Sequence, residues 1–136
     1  MHGYTSNAVE QQLYSEMDNY ALAMNIAVVY PEGINNSWNV GTSWDNNNHD
    51  DVGFTRVLID SVAAQFIVDL DRVYACGMSN GGYMAYELAC ELADKIAAFG
   101  SVTGNFMLNS TQSCMNERLI PIIDLHGIYS LTISYC

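Results

Sequence analysis

The chain has 136 residues, half of them apolar, with 15 Asp or Glu against 4 Lys or Arg and a formal net charge of −11. The length suits a single domain over residues 1–136, and the apolar share is enough to build a core. So few basic residues argue against nucleic-acid binding, which rests on Lys and Arg clustered against phosphates, and no apolar run is long enough to span a membrane.

At the start, Met1 is followed at once by His2 and Gly3, with no basic and then apolar leader in view. From Ala8 to Met24 apolar residues recur at Val9, Leu13, Met17, Tyr20, Ala21 and Met24, a spacing that predicts one amphipathic helix. Ile26 to Tyr30 is a short β-branched run stopped by Pro31, and reads as a buried strand. Glu32 to Asp51 holds six asparagines together with Trp38, Trp44 and His49, and reads as a long surface loop of the kind that often carries function. Asp50 or Asp51 then caps a helix whose buried stripe is expected at Phe54, Val57, Leu58, Val62 and Phe66.

Val73 to Met78 reads as a strand, Asn80 to Leu92 as a helix, and Phe99 to Thr103 and Ile120 to His126 as further strands. Strands alternating with helices predict a mostly parallel α/β sheet with helices on its faces. Cys76, inside a strand, is expected to be a buried thiol. The four cysteines match no zinc spacing and allow three pairings; Cys90 and Cys114 are the better disulfide candidates, and Cys136 is expected to be free. No pattern calls for a cofactor or a metal.

The stretch Gly77-Met78-Ser79-Asn80-Gly81 carries the chemistry. A serine on a sharp strand-to-helix turn is lifted above the sheet, and the crowded backbone around it requires small residues two positions before and after. The helix that starts there aims its free N–H groups at the serine, which favours developing negative charge. Ser79 is therefore the expected nucleophile, and the backbone N–H of Asn80 the first oxyanion donor. A second donor has to come from an earlier loop; "HGYTSN" offers the N–H of Tyr4, with Gly3 allowing close approach. Trp38 and Trp44 either line an aromatic substrate pocket or pack the loop onto the sheet.

The segments "HGYTSNA", "YPEGINNSWNVG", "DDVGFTRVLIDSVAAQFIVDLDRVYACGMSNGGYMAYELACE" and "IPIIDLHG" resemble the α/β-hydrolase esterases of the polyhydroxybutyrate depolymerase and feruloyl esterase type, over most of residues 2–127. The resemblance implies a secreted carboxylic-ester hydrolase that forms an acyl-enzyme on small or polymeric esters, with Ser79 at the nucleophile position and Tyr4 and Asn80 at the oxyanion positions. It also exposes departures. In that family a strand precedes the first His-Gly, and an acid and then a histidine follow the second; here "HGIYSLTISYC" puts Ser130 where the acid is expected. The tail reads as a partial or altered C-terminus lacking elements at both ends of the fold. Two histidines are left as candidate bases: His126, which the resemblance makes a structural part of its turn, and His49, which otherwise reads as a solvated loop residue beside helix-capping aspartates. The expectation is a weakly active serine esterase prone to self-association through its apolar tail, with a non-catalytic hydrolase-like fragment as the alternative.

Overall fold

The computed structural model describes residues 1–41, 47–106, 114 and 118–127. Strands β1 (Tyr74–Met78), β2 (Ala98–Val102) and β3 (Ile122–Leu125) form one parallel sheet in that order, with Cys76 opposite Gly100 and Gly100 opposite Ile123. Among the described residues four α-helices accompany them: α1 (Ala8–Ser15), α2 (Met17–Met24), α3 (Asp51–Gln65) and α4 (Asn80–Glu91). Parallel neighbours cannot be joined by a tight hairpin, so α4 serves as the crossover between β1 and β2. This is the parallel α/β arrangement expected from the alternating pattern.

The core is built around α4. Met84 and Leu88, and Ala85 and Ala89, repeat at four-residue intervals and are all buried, against Ala75 and Phe99 of the sheet and Trp38 and Val40 of the loop. Alternation along β1 turns Ala75 and Gly77 inward and leaves Tyr74 and Cys76 exposed. The Cys76 thiol is therefore not buried as expected: the inward positions of this strand are its neighbours. Cys90 and Cys114 form a disulfide that ties α4 to the chain ahead of β3.

Three further expectations are corrected. The helix expected from Ala8 to Met24 is broken at Glu16, whose φ of 49° is left-handed, and neither half has a buried residue. The break sets Asp18 in the first turn of α2, where it accepts hydrogen bonds from Gln12 Nε2 (2.6 Å) and the Tyr30 hydroxyl (2.6 Å). Residues 26–30 do not form a strand, and Ile26 and Val29 are exposed. The Ile26 N–H closes the end of α2 on Ala21 O (2.9 Å), and no strand runs beside this segment among the described residues. On α3 the buried face is rotated from the expected stripe: Phe54, Val57 and Phe66 are exposed, whereas Asp51 and Thr55 are buried and Val52 and Ile59 pack against the core. Polar bonds set that rotation. Asp51 Oδ2 accepts the Asn39 N–H (2.6 Å), and Thr55 Oγ1 donates to Asp51 O (2.8 Å). The expected cap is present, with Asp50 Oδ1 accepting from Gly53 N–H (2.7 Å).

Candidate active site

Ser79 directly follows β1 and directly precedes α4, with φ 53° and ψ −120°. A non-glycine residue there costs roughly 1–3 kcal/mol and persists only when its surroundings impose it. Those surroundings are visible. The Ser79 N–H donates to Val102 O at the end of β2 (2.8 Å), and Ser79 O accepts from Tyr83 N–H in the first turn of α4 (3.0 Å). A serine at a helix N-cap normally turns its hydroxyl onto the helix N–H groups from the extended region. Here φ is left-handed and the side chain makes no cap bond.

The two glycines expected to relieve crowding meet each other. A Cβ at Gly77 would collide with the carbonyl of Gly81, and one at Gly81 would lie 2.6 Å from His2 O. The glycines thus let three main-chain segments converge: the end of β1, the start of α4 and the His2–Gly3 turn.

That turn reaches Ser79. A Cβ on Gly3 would sit 3.5 Å from Ser79 Cβ, so the His2–Gly3 turn runs beside the serine. Gly3 O accepts from Ser6 N–H (3.2 Å) and bonds His2 Nδ1 (2.9 Å). His2 is fully buried, and its Nε2 accepts from Gly33 N–H (2.9 Å), so Nδ1 carries the proton that Gly3 O receives. Sequence reasoning did not single out His2; its one signal was its place before Gly3.

Asn80 is buried, and its carboxamide grips the main chain of Trp38: Oδ1 accepts Trp38 N–H (2.7 Å) and Nδ2 donates to Trp38 O (3.1 Å). Trp38 is itself fully buried, lies against the His2 ring at 4.9 Å between centroids, and donates its indole N–H to His2 O (3.0 Å). Trp38 is thus held inside the core by its partners. Trp44 lies outside the described residues.

The two candidate bases are placed differently. Ser79, Thr103 and His126 follow β1, β2 and β3, and the ladder continues through them: Ser79 N–H donates to Val102 O and Thr103 N–H to Leu125 O (2.9 Å). His126 therefore shares the C-terminal edge of the sheet with Ser79, two strands and about 10 Å of main chain away. His49 lines an open cleft of about 470 Å³ with Asn39, Asp50, Asp51, Glu87 and Glu91. Ser79 is not among the residues lining that cleft. Glu87 and Glu91 lie roughly 10 and 16 Å along the α4 axis from Asn80. Tyr86, stacked edge-on against Phe99, has its hydroxyl pKa raised by burial and then by the charge of Asp124. Asp124 pairs with Ser101, whose Oγ lies beside Gly82 of α4, so it faces the α4 side of the sheet. Ser130 lies outside the described residues.

No protein-family model matches the chain. Curated relatives do. A protein named as an esterase, NocK, from Nocardia uniformis subsp. tsuyamanensis is 32% identical over 130 residues, covering 93% of this chain and 38% of the relative. The bifunctional acetylxylan esterase/xylanase XynS20E of Neocallimastix patriciarum is 29% identical over 136 residues, covering 99% and 19%. Feruloyl esterase B of Piromyces equi is 29% identical over 140 residues, covering 98% and 26%. The chain thus spans between about a fifth and two fifths of the length of these relatives. Nearly the whole chain aligns with proteins named as esterases, and its parallel sheet turns into α4 through a left-handed serine between close-packed glycines. The chain is thus similar over nearly its whole length to proteins named as esterases, feruloyl esterase among them, and its parallel sheet flanked by helices is an α/β-hydrolase-like fold.

Proposed function

We propose that the chain carries the nucleophile and both oxyanion donors of a serine-dependent carboxylic-ester hydrolase. In this reading Ser79 Oγ attacks the ester carbonyl, its proton passes through a base to the departing alcohol, and water then releases the acid from the acyl-serine. The negative oxygen of each tetrahedral intermediate sits between the N–H of Asn80 and the N–H of Tyr4. The observation that carries this is the Ser79 backbone, at φ 53° and ψ −120°, with Gly3 beside it. A turn so strained has no packing use that an ordinary residue would not serve better.

The substrate class follows from the kinship: an ester of a phenolic or short carboxylic acid, free or attached to a polymer. An extracellular setting fits the Cys90–Cys114 disulfide, since such bonds persist where the medium is oxidising. Among the described residues no helix is long and apolar enough to cross a membrane. Turnover by this chain is proposed to be weak. His126 stands about 10 Å of main chain from Ser79, and the cleft of His49 does not include Ser79. Self-association belongs to the same reading, because Ile123 and Leu125 of β3 are exposed. Incubation with p-nitrophenyl acetate tests the activity: a slow release of p-nitrophenol that Ser79→Ala abolishes supports it, and release that is unaffected by Ser79→Ala refutes it.

A further inference from the structure

We infer that the Asn80 carboxamide is a positioning group: through Trp38 and His2 it sets the plane of the Gly3–Tyr4 peptide, so one residue both supplies one proposed oxyanion donor and aims the other. The inference rests on the ester-hydrolase reading of Ser79 and deepens it.

The chain of contacts starts at the carboxamide. Asn80 Oδ1 and Nδ2 take the N–H and C=O of Trp38 as a neighbouring strand would, at 2.7 and 3.1 Å, with both residues buried. The Trp38 main chain is thereby held at a set distance from the first residue of α4. Its indole then reaches across to His2 O at 3.0 Å, and its ring packs on the imidazole. The imidazole is in turn fixed at both nitrogens, accepting from Gly33 N–H at 2.9 Å and donating to Gly3 O at 2.9 Å. A trans peptide is planar, with its C=O and N–H pointing in opposite directions. The described residues contain no cis peptide bond. Holding Gly3 O between His2 Nδ1 and Ser6 N–H therefore fixes the Tyr4 N–H in the opposite direction within the same plane.

Each link is buried and hydrogen-bonded, so none slides without leaving an unsatisfied polar group. Asn80→Ala would strand the Trp38 N–H and C=O in the core. Trp38→Phe would keep the ring in place and leave the Asn80 grip on the main chain intact, while cutting the bond to His2 O. The two variants interrupt one path at successive points, so their effects should not add.

The test uses the full chain and a neutral p-nitrophenyl phosphonate, which reacts with an activated serine and leaves a tetrahedral adduct whose oxygen needs both donors. The limiting rate of Ser79 labelling is expected to fall tenfold or more in Asn80→Ala and in Trp38→Phe, with the half-saturating concentration unchanged and with no further loss in the double variant. In parallel, the Gly33 amide, whose bond depends on the His2 ring, is expected to exchange with solvent at least tenfold faster in Asn80→Ala. Trp38→Phe keeps the inference testable if Asn80→Ala does not fold. Labelling at the unsubstituted rate in the folded variants overturns the inference and leaves the hydrolase reading standing. An unlabelled Ser79 in the unsubstituted chain overturns the hydrolase reading, and the inference with it.

Discussion

Gly3 and Ser79, seventy-six positions apart in the chain, are neighbours: a Cβ on Gly3 would sit 3.5 Å from Ser79 Cβ and 3.6 Å from Met78 O. Those are ordinary van der Waals distances, and Gly3 does not adopt a left-handed φ. Gly3→Ala is therefore expected to fold with a change within about 1 kcal/mol. Gly3→Val adds two methyl groups beside the serine, and is expected to slow covalent labelling of Ser79 by tenfold or more without a matching loss of stability. Urea titration and labelling rates on the same samples check both halves. A labelling rate in Gly3→Val equal to that of the unsubstituted chain would show that the turn does not border the reacting space.

The φ of 53° at Ser79 makes a stability prediction that is independent of activity. Glycine relieves the left-handed strain and alanine keeps it. Ser79→Gly is expected to be about 1 kcal/mol more stable than Ser79→Ala, after allowing for the greater freedom of glycine in the unfolded chain. Both variants remove the hydroxyl and abolish labelling. Equal stabilities by urea denaturation would mean that the turn stores no strain.

Much of this was legible in the sequence, and the part that failed did so for a physical reason. Gly77-Met78-Ser79-Asn80-Gly81 between an apolar strand and an apolar helix gave the turn, because the spacing of small residues is a local requirement of close backbone approach. The parallel sheet followed from the alternation of patterns. The face of α3 was misread because its rotation is set by Asp51 reaching Asn39, twelve residues back, and polar anchors of that kind leave no hydrophobic period to read. The strand expected at residues 26–30 failed because pairing is a property of a neighbour, not of the segment itself. The bonds of Trp38 to Asn80 and His2 were not legible, because they join residues 42 and 36 positions apart.

The Cys90–Cys114 bond closes a loop with a sequence separation of 24 and joins α4 to the chain before β3. A loop of that size is worth roughly 3–4 kcal/mol through the entropy of the unfolded chain. Cys90→Ser/Cys114→Ser is expected to lower stability by that order, and a reducing agent to do the same to the unsubstituted chain. Matching urea midpoints with and without reductant would contradict it.

Arg56 on α3 bonds Asp94 beyond the end of α4 (2.9 Å), and this hydrogen bond is the main reason the Asp94 carboxyl titrates below its ordinary 3.8. A carboxyl whose folded pKa is depressed contributes stability that is fully present above its unfolded value. That stability is lost as pH falls through the folded value. Arg56→Gln is therefore expected to be slightly less stable than the unsubstituted chain at neutral pH, with the gap closing below pH 3.8. Because the pair is exposed, added salt should narrow the gap as well. A gap that stays constant down through this acid range would assign the effect of Arg56 to packing instead.

The most direct test of the central claim is the intact mass of the chain, and the site of its modification, after exposure to a p-nitrophenyl phosphonate. The account predicts a single adduct, located on Ser79 by peptide mapping, absent from Ser79→Ala and from the urea-unfolded chain. No adduct, or one on another residue that survives Ser79→Ala, would contradict the account.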